Sequence, residues 1–148
     1  MVSLNYVIGF LALAPFLAQA KPTPTSSAPL AKRSPRSCFG SGQWGYIRDV
    51  VSACNQAKND FSNQSISKSH PSQKSYGPYS THSGNRAYVD IRVENQYGAQ
   101  YEAVHYNDIV YACNEITQFC VGSLRDTRGG WSIQGPFKIF IDVNNCQC

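Results

Sequence analysis

Charge, methionine, histidine and long apolar runs are all scarce in this 148-residue chain: 15% of its residues are charged, one is methionine and three are histidine. Each shortage excludes something. The longest apolar run, Tyr6 to Leu17, falls short of the about 20 apolar residues that cross a bilayer, so no membrane insertion is expected. No cysteines are spaced C-x-x-C, and no histidine stands at zinc spacing from a cysteine, so neither a metal nor a cofactor is expected. The formal net charge is +4, but Lys21, Lys32 and Arg33 precede Ser34 with no acid among them. From Ser34 onward ten basic residues face nine acidic ones, a net charge of +1, and the strong basic footprint of a nucleic-acid binder is missing.

The two ends of the chain differ in material. Residues 1–20 combine the apolar run with a small-x-small tripeptide, Ala18-Gln19-Ala20, and are expected to be a secretory signal peptide, although the start of the segment carries no Lys or Arg. Residues 21–33 are rich in Pro, Ser, Thr and Ala, contain no aromatic residue, and cannot bury a core. They end in Lys32-Arg33, which resembles the dibasic sites cut by processing proteases, so this segment is expected to be a removable pro-segment. Residues 34–148 form a single small domain of 115 residues that holds all six cysteines, and secretion to the extracellular space is expected. An even cysteine set in a secreted chain implies a disulfide framework with 15 possible pairings.

Periodicity supplies the elements. From Trp44 to Phe61, the residues Ile47, Val50, Val51, Cys54, Ala57 and Phe61 fall on one helical stripe. Ser62 to Asn85 has no regular period and reads as loop with a short hairpin. It opens with the sequon Asn63-Gln64-Ser65, which makes Asn63 a candidate glycosylation site. From Ala87 the period becomes two, with Ala87, Val89, Ile91 and Val93 alternating with Tyr88, Asp90, Arg92 and Glu94, a strand with one polar face. Tyr101 to Tyr106, Asp108 to Cys113, Gln118 to Leu124 and Phe137 to Val143 read as further strands, punctuated by Gly129-Gly130 and Gly135-Pro136. The expected fold is α+β, one N-terminal helix packed on an antiparallel sheet. In this frame Cys146 and Cys148 point to opposite faces of a strand and take different partners. The expected set is Cys38–Cys146, Cys54–Cys148 and Cys113–Cys120, the last bridging a hairpin around Asn114-Glu115.

This order of elements resembles the small secreted fungal ribonucleases of the guanyl-specific (T1) type. The resemblance runs through Cys38-Phe39-Gly40-Ser41, Tyr46, Asp49-Val50 and Ala53, then Pro71, Tyr88-Val89-Asp90, Asp108, Asn114-Glu115 and Cys146. Such enzymes cleave RNA without metal, by a base, an acid and a cation that stabilises the phosphate. The resemblance implies Asp90 as the base, but it places Ser72 and Ile109 where the family carries His and Arg, and Leu124 or Arg125 where it carries the acid His. The base-recognition loop would lie at Ser75-Tyr76-Gly77-Pro78. An active enzyme would have to recruit His70 and Arg92 beside Asp90.

With most of that set missing, the chain resembles the effector proteins of plant-associated fungi that keep a ribonuclease-like scaffold without its catalysis. A non-catalytic, monomeric binding protein is expected, with a host protein or host RNA as partner and with either extracellular action or delivery into a host cell. Tyr76, Tyr79, Tyr88, Asp90 and Arg92 are the candidate binding residues. Tyrosines on an open sheet stack RNA bases at ~1–3 kcal/mol each, but they also pack well at the edge of a core. Two alternatives stand beside this reading. One is an active ribonuclease with a rearranged site. The other is a killer-toxin-like α/β sandwich, whose pattern Cys38-Phe39-Gly40-Ser41 and the closing strand from Phe137 also fit.

Overall fold

The computed structural model describes residues 36–97 and 100–145. The expected signal peptide, the pro-segment with Lys32-Arg33, and Cys146 and Cys148 lie outside them. Along the chain run β1 (Arg36–Cys38), β2 (Gly45–Tyr46), α1 (Ile47–Asp60), β3 (Ser65–Ile66), β4 (Ser72–Ser80), β5 (Arg86–Asn95), β6 (Glu102–Ala103), α2 (Tyr106–Phe119), β7 (Asp126–Thr127), β8 (Gly129–Gln134) and β9 (Phe137–Asn144). Five strands form one sheet in the order β1-β8-β9-β5-β4, with every pairing antiparallel. The short strands pair as two ribbons, β2 with β7 and β3 with β6.

The alternation along β5 sets the layers. Val89, Ile91 and Val93 face Val143, Ile141 and Ile139 across β9, and all six are buried. Both helices pack on this apolar side, α1 through Val50, Ala53, Cys54 and Ala57, and α2 through Ile109, Ala112, Cys113 and Ile116. The other side of the same strand pair carries Tyr88, Asp90, Arg92 and Glu94 opposite Asn144, Asp142, Phe140 and Lys138. The first helix thus forms over the expected stretch, with one shift of phase: Val51 is exposed and Ala53 is buried in its place.

The second helix replaces expected strands. Asp108 to Cys113 and Gln118 to Leu124 are not strands, and Asn114-Glu115 is not a hairpin turn, because α2 runs to Phe119 and the residues from Cys120 to Leu124 form the turn that follows it. Its β-branched and aromatic residues favour strands, yet Ile109, Ala112, Cys113, Ile116 and Cys120 recur at helical spacing and are all buried. The helix starts in a capping box: the Asp108 carboxylate accepts from the His105 backbone N–H at 2.8 Å, and the His105 side chain caps in return. Glu115 fastens it to β8, accepting from the Ser132 hydroxyl and from Gln134 Nε2 at 3.2 Å while pairing with Arg36 at 3.4 Å. Ser62 to Asn85 is also more regular than expected, since β4 occupies nine residues of it. Of the expected strand Tyr101 to Tyr106 only β6 forms. Gly129-Gly130 opens β8 and does not separate strands.

The cysteine pairing changes with the helix. Cys38 bonds Cys120, and Cys54 bonds Cys113. None of the three expected bridges can therefore form. On a helix, residues seven apart are separated by about 10.5 Å of rise, well beyond the ~7 Å at which a disulfide becomes impossible, so Cys113 and Cys120 must each find another partner. One bridge clamps α1 to α2, and the other ties β1 to the end of α2. Among the described residues, no helix is long and apolar enough to cross a membrane.

Candidate functional site

The polar side of the sheet contains a cavity of about 320 Å³ lined by Phe39, Gln73, Asp90, Arg92, Phe140 and Asp142. Strand alternation creates it: Asp90 on β5 stands directly opposite Asp142 on β9, with Arg92 and Phe140 as the next pair on that face. Asp90 is 6% exposed, and its two oxygens accept from the Ser75 hydroxyl and from Asn144 Nδ2. Arg92 pairs with Glu94 at 2.9 Å and lies 4.5 Å from the centre of the Phe140 ring, so the surface ion pair it makes is with Glu94, not Asp90. Lys138 extends the same row, 4.8 Å from Phe140 and 4.3 Å from the Trp131 ring. The face therefore interleaves aromatic rings with two cations and ends in a carboxylate pair.

That pair is electrostatically costly. Like charges directly opposite on paired strands destabilise a sheet. Burial pushes the Asp142 acid above its ordinary value of 3.8, a backbone hydrogen bond at Val143 opposes this, and the nearby Asp90 charge adds to the rise. The native state thus holds this proton more tightly than the unfolded chain. Its stabilising contribution is complete below the ordinary value and is lost as pH rises through the raised one. Asp142→Asn is expected to gain stability relative to the parent protein as pH rises from acid to neutral, measured as the difference between urea midpoints across that range. A constant difference would contradict the raised pKa.

The other expected site residues are dispersed. Tyr88 shares the polar face with Asp90 and Arg92, but Tyr76 lies opposite Val89, on the helix side. Tyr76 is buried and donates to Asp60 Oδ2 at 3.1 Å, and burial together with that carboxylate drives its phenol pKa up. Tyr79 packs against the core on the same side. His70 is in the turn after β3, where its ring contacts Ser67, Ser69 and Tyr101, and it is not among the residues around Asp90. Of the positions that the ribonuclease resemblance points to, Ile109 is fully buried on α2, whereas Leu124 and Arg125 lie in the exposed turn before β7. Asn63 is exposed, in a left-handed conformation after α1, and sterically accessible as a sequon.

A second cavity has no counterpart among the sequence expectations. It measures about 450 Å³ and is lined by Trp44, His82 and Asp126 together with Gly42, Gln43, Thr81, Ser83, Ser123 and Leu124. Three separate segments build it: the approach to β2, the β4–β5 turn, and β7 with the turn before it. The β4–β5 turn is held by Thr81 N–H to the Asn85 carbonyl at 2.9 Å and by contact between the Thr81 and Ser83 hydroxyls at 2.9 Å. His82 rests on the Tyr46 ring, centroid to centroid 4.0 Å. No spacing rule links residues so far apart in the chain, so only the folded β2–β7 ribbon reveals the group. Among the described residues, no cluster of three or more potential metal ligands occurs.

No family model matches the chain, and no curated protein matches it. The chemistry of the two cavities is therefore the guide to function.

Proposed function

We propose that this chain is a secreted, disulfide-bridged protein that acts without catalysis, by binding a protein partner through the polar face of its sheet. The observation that carries the reading is the row Trp131, Lys138, Phe140 and Arg92 on the side of the sheet away from both helices. Aromatic rings and arginine are the side chains that most often anchor protein interfaces. The same face carries Asp90, Glu94 and Asp142, which interrupt any continuous track for phosphates and favour a protein over RNA. The non-catalytic part of the reading rests on Asp90, whose oxygens are occupied by Ser75 and Asn144 and whose cavity, among the described residues, holds no histidine.

The scaffold bears on the alternatives. A ribonuclease-like frame draws its support from Cys38 bonding the C-terminal end and from a hairpin at Asn114-Glu115. The Cys38–Cys120 bridge and α2 remove that support. The killer-toxin-like sandwich stays the other alternative, and two helices on an antiparallel sheet are compatible with an α/β sandwich. Incubating the purified secreted protein with RNA tests the reading: no cleavage is expected, and cleavage that vanishes in Asp90→Ala would replace this reading with the ribonuclease. Replacing both Arg92 and Phe140 by alanine is expected to weaken capture of the partner about tenfold or more while leaving the melting temperature within a few degrees.

A further inference from the structure

We propose that the cavity formed by Trp44, His82 and Asp126 is a binding site for a neutral oligosaccharide, independent of the sheet face. Its volume of about 450 Å³ lies within the ~300–1,000 Å³ usual for small-molecule sites. Trp44 is 37% exposed and lines the cavity. The Arg128 guanidinium sits 4.4 Å from the centre of its ring, and both residues line a neighbouring cavity that excludes His82 and Asp126. Arg128 thus covers one side of the indole, and Trp44 also lines the cavity that holds His82 and Asp126.

Asp126 supplies the polar half. Its side chain is 9% exposed, and among the described residues the nitrogen paired with it is His82 Nε2 at 3.9 Å, beyond hydrogen-bonding distance. No donor among the described residues reaches this carboxylate. The carboxylate is not sealed from solvent, so a ligand entering the cavity would replace water at its oxygens. Ser123 and Gln43 also line the cavity and make no side-chain hydrogen bond among the described residues. The arrangement is held in place by Gly122, where a Cβ would approach Trp44 to 2.7 Å and would also strike the Asp126 carboxylate.

These groups select the ligand by chemistry. A pyranose ring has an apolar C–H face that covers an indole and a rim of hydroxyls that donate to a carboxylate in pairs. An anion would be repelled by buried Asp126. A cation would have to enter beside His82 Nε2, which stands 3.9 Å from the same carboxylate. A neutral polyol satisfies the carboxylate without either cost.

The experiment titrates the full secreted protein with chitotetraose, cellotetraose, laminaritetraose and mannotetraose, followed by calorimetry and by the ring resonances of Trp44 and His82. Saturable binding of at least one of the four is expected, with the largest shifts at those two rings. Trp44→Ala and Asp126→Asn are each expected to raise Kd about tenfold or more, and Tyr97→Ala, remote and exposed, to leave it unchanged. Ser123→Ala, at an exposed position, is expected to weaken binding severalfold and carries the test if the buried Asp126 variant does not fold. No shift at Trp44 and His82 with any of the four sugars at millimolar concentration would overturn the proposal. So would affinity that survives all three cavity substitutions.

Discussion

Gly129→Ala is expected to cost about 3–4 kcal/mol of stability, near the upper end of what single substitutions cost. Gly129 opens β8 at φ +90°, a conformation that other residues adopt only at a penalty of roughly 1–2 kcal/mol. A second penalty adds to the first. A Cβ at this position would collide with the carbonyl oxygen of Ile141 and stand 2.8 Å from its carbon, so β9 would have to move. β9 is the central strand of the sheet, and its Ile139, Ile141 and Val143 are buried beneath the helices, so it has nowhere to go. The same glycine also accepts from the Phe39 N–H at 3.2 Å and donates to Thr127 Oγ1 at 2.9 Å. Gly135→Ala is the matched control. Gly135 has φ +55° in the β8–β9 turn, and a methyl group there would meet no atom within 4 Å, so it should show the conformational cost alone, about 1–2 kcal/mol. Urea unfolding of the two variants separates the two contributions, and equal losses would show that β9 yields to the methyl group.

How much of the fold is legible in the chain depends on how cleanly each segment expresses one period. β5 and β9 alternate over most of their length and α1 repeats at helical spacing, so their positions can be read directly, although the buried face of α1 takes in Ala53 and leaves Val51 exposed. The polar face with Asp90 and Arg92 follows from the same alternation. α2 is hidden because two signals oppose each other there: Ile109, Val110, Tyr111 and Ile116 carry strand preference, while their spacing carries helix. That one conflict spreads to the cysteines. A hairpin at 113–120 makes Cys113 and Cys120 cross-strand neighbours and leaves Cys38 and Cys54 to the C-terminal end, whereas a helix forbids the first pair and frees all four. Tyr76 is obscured for a related reason. Gly77 and Pro78 interrupt the period of β4, and without a legible strand no alternation places the Tyr76 ring on the helix side. The cavity around Trp44, His82 and Asp126 has no local signature at all, since it exists only where the β2–β7 ribbon meets the β4–β5 turn.

Replacing both Cys54 and Cys113 by alanine is expected to lower stability by about 4 kcal/mol, on chain-entropy grounds for a closed loop of this size. The bridge spans a sequence separation of 59 and joins the buried sides of α1 and α2. Cys38–Cys120 spans 82, and because the entropic contribution grows only with the logarithm of loop length, entropy alone would make the two losses nearly equal. Their surroundings differ. Cys54 and Cys113 are 7% and 5% exposed, and deleting their sulfurs also leaves a gap between the helices, which adds a packing cost. Cys38 is exposed on β1, a three-residue edge strand, and without its bridge that strand can detach while the core stays folded. The helix–helix variant is therefore expected to lose more in global unfolding, with a fall of about 15 °C or more in melting temperature for a domain of this size. The Cys38/Cys120 variant should instead lose hydrogen-exchange protection at β1 and the adjoining positions of β8 before it loses global stability. Equal global losses in the two variants would mean that β1 unfolds with the core, making the edge strand a full member of the cooperative unit.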